Sequence, residues 1–154
     1  MLKLVADLIG ADGEDNLLLH KMADEALSYI RSFTWCPPIK ATYLAYGIGG
    51  IIAVFLVKFD EKIQGTDDCL WVIVGDLPSA YIVVEPQDSA REALERYCQL
   101  MDDWIKQVRE KGDFKDAFPI SVERTTVNAD LLRSRVNFIL DKIIPQVPIE
   151  IVND

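Results

Sequence analysis

Between Lys40 and Lys58 the chain runs for 17 residues without a charge, ATYLAYGIGGIIAVFLV, and no other feature constrains its fold as strongly. A run of that length lies at the bottom of the range for a membrane-spanning helix. Its composition points elsewhere. Gly47, Gly49 and Gly50 fall in the middle, where glycine weakens a helix and marks a turn. β-Branched and aromatic residues flank them: Thr42, Tyr43 and Tyr46 before, then Ile51, Ile52, Val54, Phe55 and Val57 after. The pattern predicts two buried strands around a glycine loop that needs positive φ, and no membrane span.

The rest of the chain organises around that hairpin. Leu19, Met22, Ala23, Ala26, Leu27, Ile30 and Phe33 keep the spacing of one apolar helix face, predicting a helix from about Glu14 to Phe33. Asp12 or Asp15 is its expected cap, and His20, Asp24 and Arg31 fall on the face expected to meet solvent. Trp35-Cys36-Pro37-Pro38 ends it. Four strands are then expected at about 39–46, 51–59, 69–75 and 80–85, joined by connections too short for crossover helices and therefore antiparallel. The second and third are almost continuously apolar, as in central strands covered on part of both faces.

A second helix opens on the capping box Ser89-Ala90-Arg91-Glu92 and carries one stripe through Ala93, Leu94, Tyr97, Cys98, Met101, Trp104, Ile105 and Val108. Its outer face includes Asp102, Asp103 and Lys106, with Lys106 expected to pair with Asp102, and Gly112 is its expected stop. A third helix is predicted from about Asn128 to Ile144, before Pro145, with a loose or edge-strand tail over 146–154. The fold class is α+β: one domain over 1–154, order α-β-β-β-β-α-α, a four-stranded antiparallel sheet with helices packed mainly on one face.

Charge and residue usage exclude several functions. Sixteen Lys and Arg against 25 Asp and Glu give a net charge of −9, unsuited to nucleic acid or an anionic membrane surface. One histidine, His20, rules out a His-pair metal site, and the outer helix face argues against catalysis there. Cys36, Cys69 and Cys98 are expected to be free thiols on a loop, a strand and a helix stripe, without metal-ligand spacing. Gly47-Ile48-Gly49-Gly50 lacks the third glycine of a dinucleotide fingerprint, with Ile52 in its place, and Asp67-Asp68 reads as a turn. No catalytic residue, metal or cofactor is predicted. At the N-terminus, Lys3 and Asp7 interrupt Leu2, Leu4, Val5, Leu8 and Ile9, which reads as an amphipathic turn-and-a-half and not as a secretory address. A cytoplasmic location is expected.

The stiff turn Gly75-Asp76-Leu77-Pro78-Ser79, followed by Tyr81 and read together with Trp35, supplies the polar and aromatic groups of a small binding site. Trp35, Asp76, Ser79 and Tyr81 are the candidate ligand-binding residues. The plainer reading is that Asp76 and Ser79 satisfy turn backbone and Pro78 stiffens it.

Residues Leu70–Val84, LWVIVGDLPSAYIVV, with the helix Ser89–Val108 and Phe118-Pro119-Ile120, resemble a family of small uncharacterised bacterial proteins. The resemblance covers about half the chain. It implies a shared fold and brings no activity and no site residues. The surplus of apolar faces over what a thin two-layer domain covers predicts a partner, with a homodimer the commonest solution. The leading functional expectation is a non-enzymatic binding or regulatory protein, in one variant an acidic immunity-type protein that neutralises a basic partner. The alternative is an enzyme or small-ligand binder with its site at the Gly75–Ser79 turn and Trp35.

Overall fold

The computed structural model describes residues 2–8, 13–63, 67–115 and 117–152. Its centre is the predicted hairpin: β2 (Ile39–Ile48) and β3 (Ile52–Phe59) pair antiparallel, with Gly50 at φ +77° in the turn. β4 (Cys69–Gly75) and β5 (Ala80–Val83) extend the meander, so the last strand stops short of the expected residue 85. Gly75 at φ +151° lets the chain leave β4 beside Ile51, where a Cβ would lie 2.2 Å from the Ile51 carbonyl oxygen. That oxygen instead accepts a hydrogen bond from Asp76 N–H at 3.0 Å.

Two expectations are corrected here. The sheet has five strands, in the order β1-β2-β3-β4-β5, because Lys3–Leu4 adds a short antiparallel β1 against Tyr43 and Leu44. In place of the expected amphipathic turn-and-a-half, this strand is followed by a 3-10 turn at Val5–Leu8. A two-residue strand has no period to detect, so sequence pattern could not find it.

The second correction concerns layers. The helices do not gather on one face; the sheet is covered on both. Alternation sends Ala53, Phe55, Val57, Val72 and Val74 toward α1 (Gly13–Arg31), where they bury with Leu19, Ala23, Ala26 and Ile30. Ile52, Val54, Leu56, Trp71 and Ile73 point the other way, onto α2 (Ala90–Glu110) and α3 (Thr126–Phe138). The unbroken apolar runs of β3 and β4 follow from this: both sides of each strand are core. A strand with one wet face would have alternated.

α2 begins as expected, with Ser89 Oγ accepting from Glu92 N–H. The reciprocal half of the box is absent, since Ser89 N–H donates to the Asp88 carboxylate. The helix ends at Lys111, left-handed at φ 52°, and not through a left-handed Gly112; Gly112 N–H then closes the cap on the Gln107 carbonyl. Asp102 pairs with Arg133 of α3 and not with Lys106, and Arg109 bonds Asp130 at 2.8 Å, so α3 is tied along the outer side of α2. Past Phe138 the helix widens into a π segment, Ile139–Ile143, and tightens into a 3-10 turn at Ile144–Gln146 that contains Pro145. No strand forms in the described tail, although Val152 N–H donates to the Asp88 carbonyl.

Asp24 and Arg31 are exposed on α1 as expected. His20 is not. It is half-buried, and its Nε2 is enclosed with no hydrogen-bond partner among the described residues. The caps expected at Asp12 or Asp15 fall outside the described residues and side chains.

Trp104 is 1 % exposed on the stripe that α2 presents to the core, and Asp103 beside it is exposed. Trp104→Ala should therefore destabilise the fold by about 3–5 kcal/mol. Asp103→Ala, which removes one surface contact with Gln99, should change stability by less than about 0.5 kcal/mol. Denaturant melts of the two variants check the difference.

Candidate functional site

A cavity lies along β5, the outer strand on the side away from β1. It is an open groove of about 1020 Å³, and two constructions of opposite chemistry contribute to its lining.

One is a buried ionic knot. Asp88 is fully buried, and its carboxylate accepts from Trp71 Nε1–H, Glu85 N–H and Ser89 N–H, each at 2.9 Å. Arg96, two turns into α2, donates Nη1–H at 3.1 Å and Nη2–H at 2.5 Å to the two oxygens. Arg96 Nη2 also donates to the Val83 carbonyl at 3.1 Å, which covers an outward-facing acceptor of the edge strand. Burial alone would raise the Asp88 carboxyl, but the hydrogen bonds from Arg96, Glu85 N–H, Trp71 and Ser89 N–H outweigh it and hold the group below the usual carboxylate value.

The other is aromatic, with Tyr81 at its centre. α1 ends at Arg31, short of the expected Phe33 and well before the double proline, with Ser32 N–H and Phe33 N–H donating to the Tyr29 and Ile30 carbonyls; a turn in which Cys36 N–H donates to the Phe33 carbonyl then brings Trp35 against Tyr81. Trp35 stacks on Phe33, with ring centres 5.2 Å apart, and meets Tyr81 edge-on at 5.1 Å and 76°. Phe118, from the segment after α2, meets Tyr81 at 5.3 Å and 69°. That segment is itself anchored through Phe114, which packs on Trp104 and lies under the Arg124 guanidinium at 3.9 Å. Glu61, Lys62, Glu85 and Gln99 stand on the groove's lining between apolar walls that include Leu70 and Leu100.

Of the four residues expected to form a site, the structure brings Trp35 and Tyr81 together in this groove. Asp76 lies elsewhere, on the rim of a smaller cavity of about 360 Å³ beside the start of the π segment. There Arg135 donates Nε–H to the Asp76 carbonyl at 2.5 Å and Nη2–H to its carboxylate at 3.1 Å. Ser79 is half-buried and lines neither cavity. Pro78, read as a stiffener, also supplies a carbonyl that accepts from the buried Tyr97 hydroxyl at 2.6 Å. The strand order explains the separation: Tyr81 lies in β5, whereas the Gly75–Ser79 turn faces the β2–β3 turn at the end of the sheet.

Sequence reading missed Phe118, Asp88 and Arg96 as site residues. Asp88-Ser89 looks like an ordinary helix start, and only the fold brings Trp71 to it. Arg96 carried a faint signal, a cation eight residues after the aspartate and so on the same side of the helix. The cysteines are free, and burial, with Glu95 and Asp102 nearby, pushes the Cys98 thiol up to about 12. Among the described residues no group of three or more His, Cys, Asp or Glu is placed to hold a metal ion, and no helix is long and apolar enough to cross a membrane.

Compared with known proteins, the chain matches no family model, no curated protein and no solved structure.

Because the folded Asp88 carboxyl lies below its unfolded value, its contribution to stability is complete above about pH 4 and is lost as pH falls through the folded value. Asp88→Asn should cost about 3 kcal/mol near neutral pH, the low end for breaking a buried pair because Arg96 keeps partial access to water. The variant should also lose that part of the acid dependence. Urea melts of both proteins between pH 2.5 and 7 test this; parallel stability curves would remove Asp88 from its structural role.

Proposed function

We propose that the protein works by binding and not by catalysis, seating a segment of a basic partner protein in the groove along β5. The observation that carries this reading is the groove itself: a wide, open, partly aromatic channel whose lining is held by interactions that need no ligand. The net charge of −9 favours encounter with a cationic partner. An immunity-type role in a bacterial cytoplasm, neutralising a basic protein, fits the acidic charge and the groove.

A peptide-display selection on the purified protein tests the reading. Selected sequences should be rich in basic and apolar residues, and Val83→Arg should abolish their binding without lowering the melting temperature, because Val83 is exposed on the edge strand. Acidic selected sequences, or binding that survives Val83→Arg, would reject the groove as the binding surface.

Self-association is a second reading, favoured by one observation on α3. Ala129, Leu132 and Val136 are buried, yet Val127, Leu131 and Phe138 form a second, exposed apolar stripe on nearly the opposite side. Such a stripe suits a helix-to-helix contact with a second copy. Sedimentation velocity should then show a concentration-dependent dimer that Leu131→Glu converts to a monomer; a monomer at all concentrations would exclude it.

A further inference from the structure

The exposed stripe of α3 is symmetric along its own length, and that symmetry fixes how a second copy would lie on it. Resting on the self-association reading above, we infer that two copies pair through α3 with their helices antiparallel. The two-fold axis passes between Leu131 and Ser134, so that Val127 of each copy meets Phe138 of the other.

Spacing comes first. Val127, Leu131, Ser134 and Phe138 follow one another at intervals of four, three and four residues, the seam of two helices packed side by side. Val127, Leu131 and Phe138 are 68 %, 52 % and 47 % exposed, and Ser134 between them is exposed as well. The intervals read the same from either end. A two-fold contact demands this, because whatever one residue touches must touch it back. With the axis midway, Leu131 lies against the second copy's Ser134 and Val127 against its Phe138, so each pair sets a larger side chain on a smaller one. A parallel pair would set Phe138 on Phe138 and leave a gap between two serines.

Charge and shape come next. The ionic residues of α3 are Asp130, Arg133 and Arg135, and each is paired within the chain, with Arg109, Asp102 and Asp76 in turn. The helix and these partners together carry no net charge, although the whole chain carries −9. A strongly basic or acidic protein finds nothing there to select it, whereas two copies meet without repulsion at the contact. At its C-terminal end the stripe runs into the cavity of about 360 Å³ that Phe138 shares with Ile51 and Leu77. Ile51 is 42 % exposed, so the apolar surface continues from the helix onto the β2–β3 turn. The antiparallel arrangement brings the first turn of the second copy's α3 to this end, with its Val127 beside the cavity mouth.

Mixed chains test the register at concentrations where sedimentation shows a dimer. Cys36→Ser removes the native thiol that is not buried. In that background Val127→Cys carries a nitroxide, and this chain is mixed with 15N-labelled wild type. The Phe138 amide of the labelled chain should broaden more than its Val127 amide, because the helix sets the two about 16 Å apart. Without the nitroxide, Val127→Cys mixed with Phe138→Cys should give a disulfide-linked dimer under oxidised glutathione, and neither variant alone should do so. Both positions are exposed, and melting temperatures check that the variants fold. The reverse broadening, or self-linking of each single variant, would overturn the antiparallel register and keep self-association through α3. A dimer in which no α3 amide broadens would overturn α3 as the contact. A monomer at every concentration would overturn self-association together with it, leaving the stripe to a foreign chain.

Discussion

A fully buried carboxylate sits where four parts of the chain meet: the sheet at Trp71, the β5–α2 connection at Glu85, the first turn of α2, and Arg96 further along that helix. Taking a single ion of this size out of water costs several kcal/mol even after relaxation. Asp88 is tolerable only because every one of those parts supplies a donor at once. The dependence also runs the other way. If α2 slid along its axis, Arg96 would leave the carboxylate; if β4 shifted register, the Trp71 indole would leave it. Apolar packing between helix and sheet specifies contact area but not position along the helix. The buried ion, together with the Tyr97 hydroxyl bonded to the Pro78 carbonyl, ties the register of α2 to the sheet.

Much of the fold was legible because it depends on local periodicity. The hairpin, the α2 stripe and the antiparallel meander come from residues that determine their own neighbourhoods: glycines at a turn, β-branched residues beside them, a three-and-four repeat. The number of layers was not legible from the helices, but the strands carried it. Val54 and Phe55, or Trp71 and Val72, are consecutive, large and fully buried, so neither face of β3 or β4 can be wet. A one-sided sheet was inconsistent with those runs. Order along the chain does not give the face a helix covers: α1 precedes the sheet and is free to close the face opposite α2 and α3.

The candidate site was less legible, and the reason is separation along the chain. Trp35 follows α1, Tyr81 lies on β5, and Phe118 comes after α2, so no window of sequence holds the three rings. The Gly75–Ser79 turn drew notice because its residues are close in sequence and rich in hydrogen-bonding groups. Those groups are largely spent on the fold: Asp76 on Ile51 and Arg135, and Pro78 on Tyr97. Local chemical density marked a structural joint, while the groove was assembled from residues that each look unremarkable alone.

An edge strand normally must be hidden, because its unpaired backbone invites other chains. β5 is treated in just that way. It has four residues, Arg96 occupies the Val83 carbonyl, and Phe118 packs on Tyr81. These devices block strand pairing, yet they leave beside the strand a groove whose walls are already fixed by the Asp88 knot and the aromatic contacts. An occupant would not have to order those walls, so little of its binding energy would go into rearranging the protein. Protection of the edge and preorganisation of the groove therefore come from the same side chains. That coupling favours recognition through side chains entering the groove over backbone addition to the sheet: a segment that paired with β5 would have to displace Arg96 from Val83, and with it part of the charge balance that keeps Asp88 buried.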